Sequence, residues 1–207
     1  MGFTTARIAV LLSGNGSNLQ AILDAISDGS LEHGRVELVV SSNNSAHGLQ
    51  RARLAGIPTA VVRSRDYASR EEFDAALSNV IDDHRIDLIV LAGYMSILSE
   101  SFVSRYPRRI VNIHPSLIPA FAGEGFYGLK VHEAALAAGV KISGATVHYV
   151  NEVCDGGEIL EQETVRIEGI DRAEDVQQRV LTHVEHVIYP RVIERLSKEI
   201  VGNRDDR

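Results

Sequence analysis

Asn112 and His114, in the run Asn112-Ile113-His114-Pro115-Ser116-Leu117-Ile118-Pro119, stand two residues apart, so in a strand both side chains leave the same face. An amide can hydrogen-bond a carbonyl oxygen as it becomes an oxyanion, and an imidazole can relay a proton. Together they suit acyl transfer. Alone, the pair is equally compatible with a satisfied core histidine after an ordinary strand-ending asparagine. Further on, Val147-His148-Tyr149-Val150-Asn151-Glu152-Val153-Cys154-Asp155-Gly156-Gly157 ends on a glycine turn. A carboxylate on such a turn can reach a neighbouring element, and beside His114 Asp155 would favour the imidazolium form. The commoner fate of Asp-Gly is a turn aspartate bonded to its own backbone. Cys154 has no evident basic partner and reads as a buried, inert thiol.

Near the N-terminus, Ser13-Gly14-Asn15-Gly16-Ser17-Asn18-Leu19 falls between an apolar run and a helical pattern. Glycines let the backbone turn tightly, and a helix start offers unpaired N–H groups to an anion. The third glycine of the dinucleotide fingerprint is absent, since Leu19 stands there, and no Gly-Lys-Ser/Thr ending makes it a P-loop. A single phosphate monoester is the natural guest, and a plain tight turn is the bland alternative. The eight histidines are scattered. His183 and His186 lack a third ligand at metal-binding spacing, so no metal is expected.

The elements that must position these residues alternate. Ile8–Leu12, Val36–Val40, Thr59–Val62, Leu88–Leu91 and Ile110–Ile113 read as strands, the first and fourth as continuous apolar runs buried on both faces. Leu19, Ile22, Leu23 and Ile26 form one helical stripe, and Phe73, Ala76, Leu77, Val80 and Ile81 another, with Ser69 as its N-cap. A short helix spans Leu49–Ala55. This βαβ alternation predicts an α/β fold, a doubly wound, mostly parallel, Rossmann-like sheet. Ala145–Val150 and Ile159–Ile167 read as strands of a mixed C-terminal part. A long helix is expected from about Asp171 to Ile200, kinked or divided by Pro190. The segment His114–Gly128 has no periodicity, and long irregular loops in compact domains are usually functional.

The chain of 207 residues carries 28 acidic and 21 basic side chains, a formal net charge of −7, which argues against bulk nucleic-acid binding. It leaves room for a small anion held by local donors. One cysteine excludes an internal disulfide and fits a reducing compartment, and the first residues carry neither a leader pattern nor a membrane span. A cytoplasmic protein with no nucleic-acid or membrane partner, monomer or homodimer, is expected. It is read as one domain over 1–200 with a disordered tail over 201–207.

Taken together, the motifs resemble the phosphoribosylglycinamide formyltransferase family, the folate-dependent transformylases of purine biosynthesis. The pieces are Leu11 to Gln20, Leu91-Ala92-Gly93-Tyr94-Met95, Asn112 to Leu117, and Val147 to Gly157. The resemblance covers nearly the whole chain and implies the formyltransferase fold. It also implies 10-formyltetrahydrofolate as co-substrate, no metal, and direct attack of a phosphoribosylglycinamide amine on the formyl carbon. It assigns Asn112, His114 and Asp155 to catalysis and Gly16, Ser17, Asn18 and Glu185 to the substrate. Arg70, Met95, Ser96, Ile97, Leu98 and Asn112 fall to the folate, with His148 close by in support. On the same footing, the N-terminal half would bind the ribonucleotide phosphate and the C-terminal half the folate. Ser96 stands where many relatives carry arginine, and Glu124 adds an acidic charge to a loop that is longer than in some of them.

Three rivals stand beside this reading. A 10-formyltetrahydrofolate deformylase would share the Asn, His and Asp set but lack the phosphate loop. A methionyl-tRNA formyltransferase would add a basic RNA-binding domain. A non-catalytic nucleotide-binding module could be built on the same sheet.

Overall fold

The structure is a computed structural model and describes residues 5–205. In chain order its elements are β1 (Ala6–Leu12), α1 (Ser17–Asp28), β2 (Gly34–Ser41), α2 (His47–Leu54), β3 (Thr59–Val61), α3 (Arg70–Asp83) and β4 (Leu88–Leu91). There follow α4 (Glu100–Arg105), β5 (Ile110–His114), α5 (Leu129–Ala137), β6 (Ile142–Tyr149), β7 (Ile159–Arg166), α6 (Ala173–Val180) and α7 (His186–Asp205). The strands form one sheet in the order β3-β2-β1-β4-β5-β6-β7. β1 to β5 pair in parallel, while β6 runs antiparallel to β5 and β7 antiparallel to β6. The doubly wound sheet with a mixed C-terminal part therefore forms as the sequence predicts. Strand order reverses between β1 and β4, which opens a crevice at their carboxyl ends.

Period-2 alternation sorts each strand's residues between two hydrophobic layers. Ile8, Val10 and Leu12 of β1 pack with Leu19 and Ile22 of α1 and Ile188 and Val192 of α7. Ala9 and Leu11 pack on the other face with Phe73, Leu77 and Ile81 of α3. Each such Leu or Ile contributes about 1.5–3 kcal/mol on leaving water. On β5, Val111 and Ile113 join the α7 layer and Ile110 the α3 layer. Asn112 and His114 share the parity of Ile110, so they project on the α3 side. On β6, Ala145, Val147 and Tyr149 join the α7 layer, which leaves Thr146 and His148 on the same side as Asn112 and His114. The two strands pair Asn112 with His148 and His114 with Thr146. One sheet face thus carries four polar side chains in two adjacent rungs.

Ser69 caps α3 as expected, its hydroxyl accepting the Glu72 N–H at 3.2 Å. Other elements differ from expectation. The long C-terminal helix is divided, but by a π-helical turn over Leu181–Glu185 rather than at Pro190. The proline lies inside α7, and the bond it cannot make would run to His186, the residue where the π turn ends, so little ladder is lost there. The tail expected to be disordered from 201 onward is helical through Asp205, because Arg204 pairs with Asp87 at 2.5 Å and donates to the Thr5 carbonyl. Asp206 and Arg207 lie outside the described residues. Cys154 is exposed rather than buried, since it sits on the turn before Asp155. Partial burial, Asp155 and Glu124 all push its thiol pKa up, which keeps it a poor nucleophile. Among the described residues, no helix is long and apolar enough to cross a membrane.

Candidate active site

Residues 13–16 connect β1 to α1. Gly16 takes φ +75°, and a Cβ there would stand 2.7 Å from Cα of Gly48, so conformation and space both demand glycine. No side chain caps α1, and its first turn holds no acidic residue. The Gln20 N–H to Gly16 carbonyl bond, at 3.0 Å, opens the helix ladder. The N–H groups of Ser17, Asn18 and Leu19 therefore precede it, as donors at the positive end of the helix dipole.

Arg51, on α2, spends its guanidinium on this loop. Nε donates to the Asn15 carbonyl at 3.0 Å, Nη2 to Asn15 Oδ1 at 2.9 Å and Nη1 to Gln20 Oε1 at 3.0 Å. Sequence reasoning missed this residue. It belongs to no motif, and only the fold lays α2 beside the loop.

Glu185 comes to the loop from the π turn. Asn18 Nδ2 donates to Glu185 Oε2 at 2.8 Å, and both residues are buried. Burial pushes the Glu185 carboxyl above its ordinary range, and the Asn18 bond pulls it partway back. Glu185 lies in the C-terminal half and Asn18 in the N-terminal half, so side chains of both halves meet at this corner.

At the end of β5, His114 is 4% exposed. Its Nε2 donates to the Phe121 carbonyl at 2.9 Å, and its Nδ1 lies 3.4 Å from Asp155 Oδ2. Asp155 holds φ +54°, and the same Oδ2 accepts the Gly123 N–H at 2.9 Å. Burial opposes the charge on Asp155, but the His148 and His114 rings and the Gly123 N–H outweigh it, so the carboxyl lies below its ordinary range. The turn that carries Asp155 is pinned at Gly157, where a Cβ would meet the Tyr149 carbonyl oxygen at 1.7 Å. Asn112 Nδ2 lies 3.1 Å from His148 Nε2. Thr146, which the sequence did not flag, fastens the start of the loop after β5. It donates to the Ser116 carbonyl at 2.6 Å and accepts the Ile118 N–H at 3.1 Å.

The segment after β4 lies between these two centres. Met95 and Ile97 are 57% and 76% exposed, whereas Leu98 packs against the α3 layer. Ser96 is half-buried. Arg70 donates to the Ile97 carbonyl and lies 3.7 Å from Asp74. Ser13 accepts the Met95 N–H on its hydroxyl at 2.7 Å and donates its own N–H to the Gly93 carbonyl at 3.1 Å, joining this segment to the first loop. Glu124 is exposed on the loop after β5. A separate depression of about 710 Å³ between α1 and α7 shares only Ser17 with the expected site residues. Among the described residues, no cluster of three or more His, Cys, Asp or Glu could hold a metal.

Residues 6–193 match the family described as Formyl transferase. The chain is 45% identical over 186 residues to phosphoribosylglycinamide formyltransferase of Escherichia coli, covering 90% of this chain and 84% of that protein. It is 41% identical to the chloroplastic phosphoribosylglycinamide formyltransferase of Arabidopsis thaliana, covering 97% of this chain and 68% of that one. It also matches the human trifunctional purine biosynthetic protein adenosine-3 at 40% identity, spanning 95% of this chain but 19% of that much longer protein. The solved glycinamide ribonucleotide transformylase 1 of Symbiobacterium toebii superposes with a TM-score of 0.88 at 42% identity, covering 96% of this chain and 90% of that one. On the sheet, the site at its edge and these likenesses, the chain belongs to the formyl transferase family.

Proposed function

We propose that this chain transfers the formyl group of 10-formyltetrahydrofolate to the amine of N1-(5-phospho-D-ribosyl)glycinamide, a step of purine synthesis. The activity for which its relatives are named supports the reading. One geometric observation carries it: Asn112, His114 and Asp155, from two separate stretches, meet at the same sheet edge as the donor-rich start of α1. β1 and β5 are separated only by β4, so the two centres lie about two strand spacings apart, roughly 10 Å. A phosphorylated ribose with its glycinamide arm bridges such a span.

The N–H groups of Ser17 and Asn18, with Gly16 giving the backbone its turn and Arg51 adding positive charge, would hold the phosphate. Glu185, beside Asn18, would meet the ribose or the glycinamide. Arg70 would offer a cation to the folate's carboxylates, and Met95, Ile97 and Leu98, with Ser96 between them, would flank its rings. Asn112 would donate an amide hydrogen to the oxygen of the formyl group as the amine adds. His114, kept beside the Asp155 carboxylate, would move a proton toward the departing folate nitrogen. No metal enters this scheme. We place the reaction in the cytoplasm, on the reducing-compartment reading of the single cysteine.

The test is turnover of 10-formyl-5,8-dideazafolate. Product that forms only when the amine substrate is present is the expected result. Equal turnover with water alone would make the chain a hydrolase, and no turnover with either would leave a binding module.

A further inference from the structure

Arg51 meets the first loop with one N–H from each guanidinium nitrogen, at 3.0 Å from Nε, 3.0 Å from Nη1 and 2.9 Å from Nη2. A guanidinium only donates, so the acceptors are fixed as the Asn15 carbonyl oxygen, Gln20 Oε1 and Asn15 Oδ1. Gln20 completes the arrangement by donating from Nε2 to Asp24 Oδ1 at 2.9 Å. One residue before Asn15, the Gly14 carbonyl accepts the Gly48 N–H of α2 at 3.1 Å. α2 thus claims the carbonyls of Gly14 and Asn15 and the Asn15 side-chain oxygen. Any of these oxygens turned toward a bound anion would repel it.

The same contact aims a donor. The Asn15–Gly16 peptide is trans, so its N–H points opposite to its carbonyl. With the carbonyl drawn to Arg51, the Gly16 N–H leaves on the other side, and among the described residues nothing accepts it. Gly16 is left-handed and Ser17 opens a right-handed helix, an alternation that turns successive N–H groups into one concavity suited to an anion.

We propose that Arg51 is a positioning residue for the phosphate loop: its fork holds the Asn15 oxygens away from the anion and turns the Gly16 N–H toward it. Arg51 then acts through its shape as well as its charge. Lysine carries the same charge on a single ammonium and lacks the planar fork that reaches two residues at once, so substitution separates the two contributions. The inference rests on the reading of this loop as the seat of the substrate's phosphate.

Two measurements on the whole chain test it. In steady-state kinetics, Arg51→Lys and Arg51→Ala should both raise KM for the phosphoribosyl amine on the order of tenfold, with kcat and KM for the folate within about threefold. With the same amine lacking its phosphate, parent and variants should agree. Inorganic phosphate titrated into 15N-labelled protein gives the second readout, through the amide resonances of Gly16, Ser17 and Asn18. In the parent these should move and saturate, and Arg51→Lys should need on the order of tenfold more phosphate. Arg51→Lys matching the parent in either measurement would overturn the proposal. So would a Gly16 amide that phosphate leaves unmoved, or equal losses with and without the substrate's phosphate. If Arg51→Ala does not fold, Arg51→Lys decides alone. A parent that binds phosphate at these amides but formylates no amine would sink the functional reading and leave the role of Arg51 standing.

Discussion

His114 Nδ1 faces Asp155 Oδ2 at 3.4 Å, and that same oxygen receives the Gly123 N–H at 2.9 Å. One carboxylate therefore ties the imidazole, its own glycine turn and the loop after β5 into a single unit. Asp155→Asn preserves size and an acceptor for Gly123 but removes the charge. We expect kcat to fall by roughly 10²-fold or more, as for loss of a general acid–base partner, with both KM values within about threefold. Steady-state kinetics alongside a thermal melt checks this, and a folded variant with near-parental kcat would remove Asp155 from the mechanism. Because the folded carboxyl lies below its ordinary value of 3.8, its stabilising contribution is present above that pH and is lost as pH falls through the folded value.

Asn112 is the oxyanion donor in this scheme. Asn112→Ala is expected to lower kcat on the order of 10²–10³-fold. The melting temperature should move little, since the side chain is only half-buried. A kcat within tenfold of the parent would show that the oxyanion is held elsewhere.

On the proposed reading, the Asn18–Glu185 pair bears on substrate binding rather than on chemistry. Glu185→Ala strands the Asn18 amide in a buried corner, at about 1–3 kcal/mol of stability. It should raise KM for the phosphoribosyl substrate far more than KM for the folate. Equal rises in both would argue that Glu185 acts only through the fold.

His132, on α5, titrates against folding. Its ring nitrogens have no partner among the described residues, and burial, helped by the charge of His114, pushes its pKa down from 6.5 to about 4. The unfolded chain therefore binds a proton between those values that the folded chain refuses, so stability falls as pH drops from about 6.5 to about 4. The full effect, about 2.5 pKa units at about 1.4 kcal/mol each, is on the order of 3 kcal/mol. Denaturant midpoints at pH 7 and pH 5 should differ less for His132→Leu than for the parent. An unchanged difference would place the titration elsewhere.

Two glycines give a contrast in fold tolerance. Gly157→Ala drives a methyl into the Tyr149 carbonyl and should cost at least about 3 kcal/mol or prevent soluble expression. At Gly14 nothing lies within 4 Å of the added carbon, and Gly14→Ala should fold normally. Soluble, stable Gly157→Ala protein would mean the turn can move.

The sequence was most legible where periodicity is strongest. The β1 and β4 apolar runs, the α1 and α3 stripes and the Ser69 cap all stand where their patterns put them. The spacing of Asn112 and His114 correctly put them on one face of a strand. It could not show that parity places His148 on that face as well, because the pairing of β5 with β6 is a long-range choice. Arg51 was invisible for a related reason: its guanidinium matters only once α2 lies beside the first loop. The π turn at Leu181–Glu185 escaped because the buried stripe Val176, Val180, Val184, Ile188 and Val192 keeps a four-residue spacing straight through it. The short α4 and α5 carry too few apolar repeats to declare themselves within polar, glycine-rich surroundings.

The two-layer alternation on β5 carries a consequence for how this protein can change. Val111 and Ile113 anchor one layer while Asn112 and His114 leave the opposite face, so a single inserted or deleted residue before Asn112 would exchange the two sets. The polar groups would then be driven into oil and the aliphatic ones onto the polar face. Point substitutions can tune this strand, but indels cannot, and drift in length must be absorbed in the turns on either side of it.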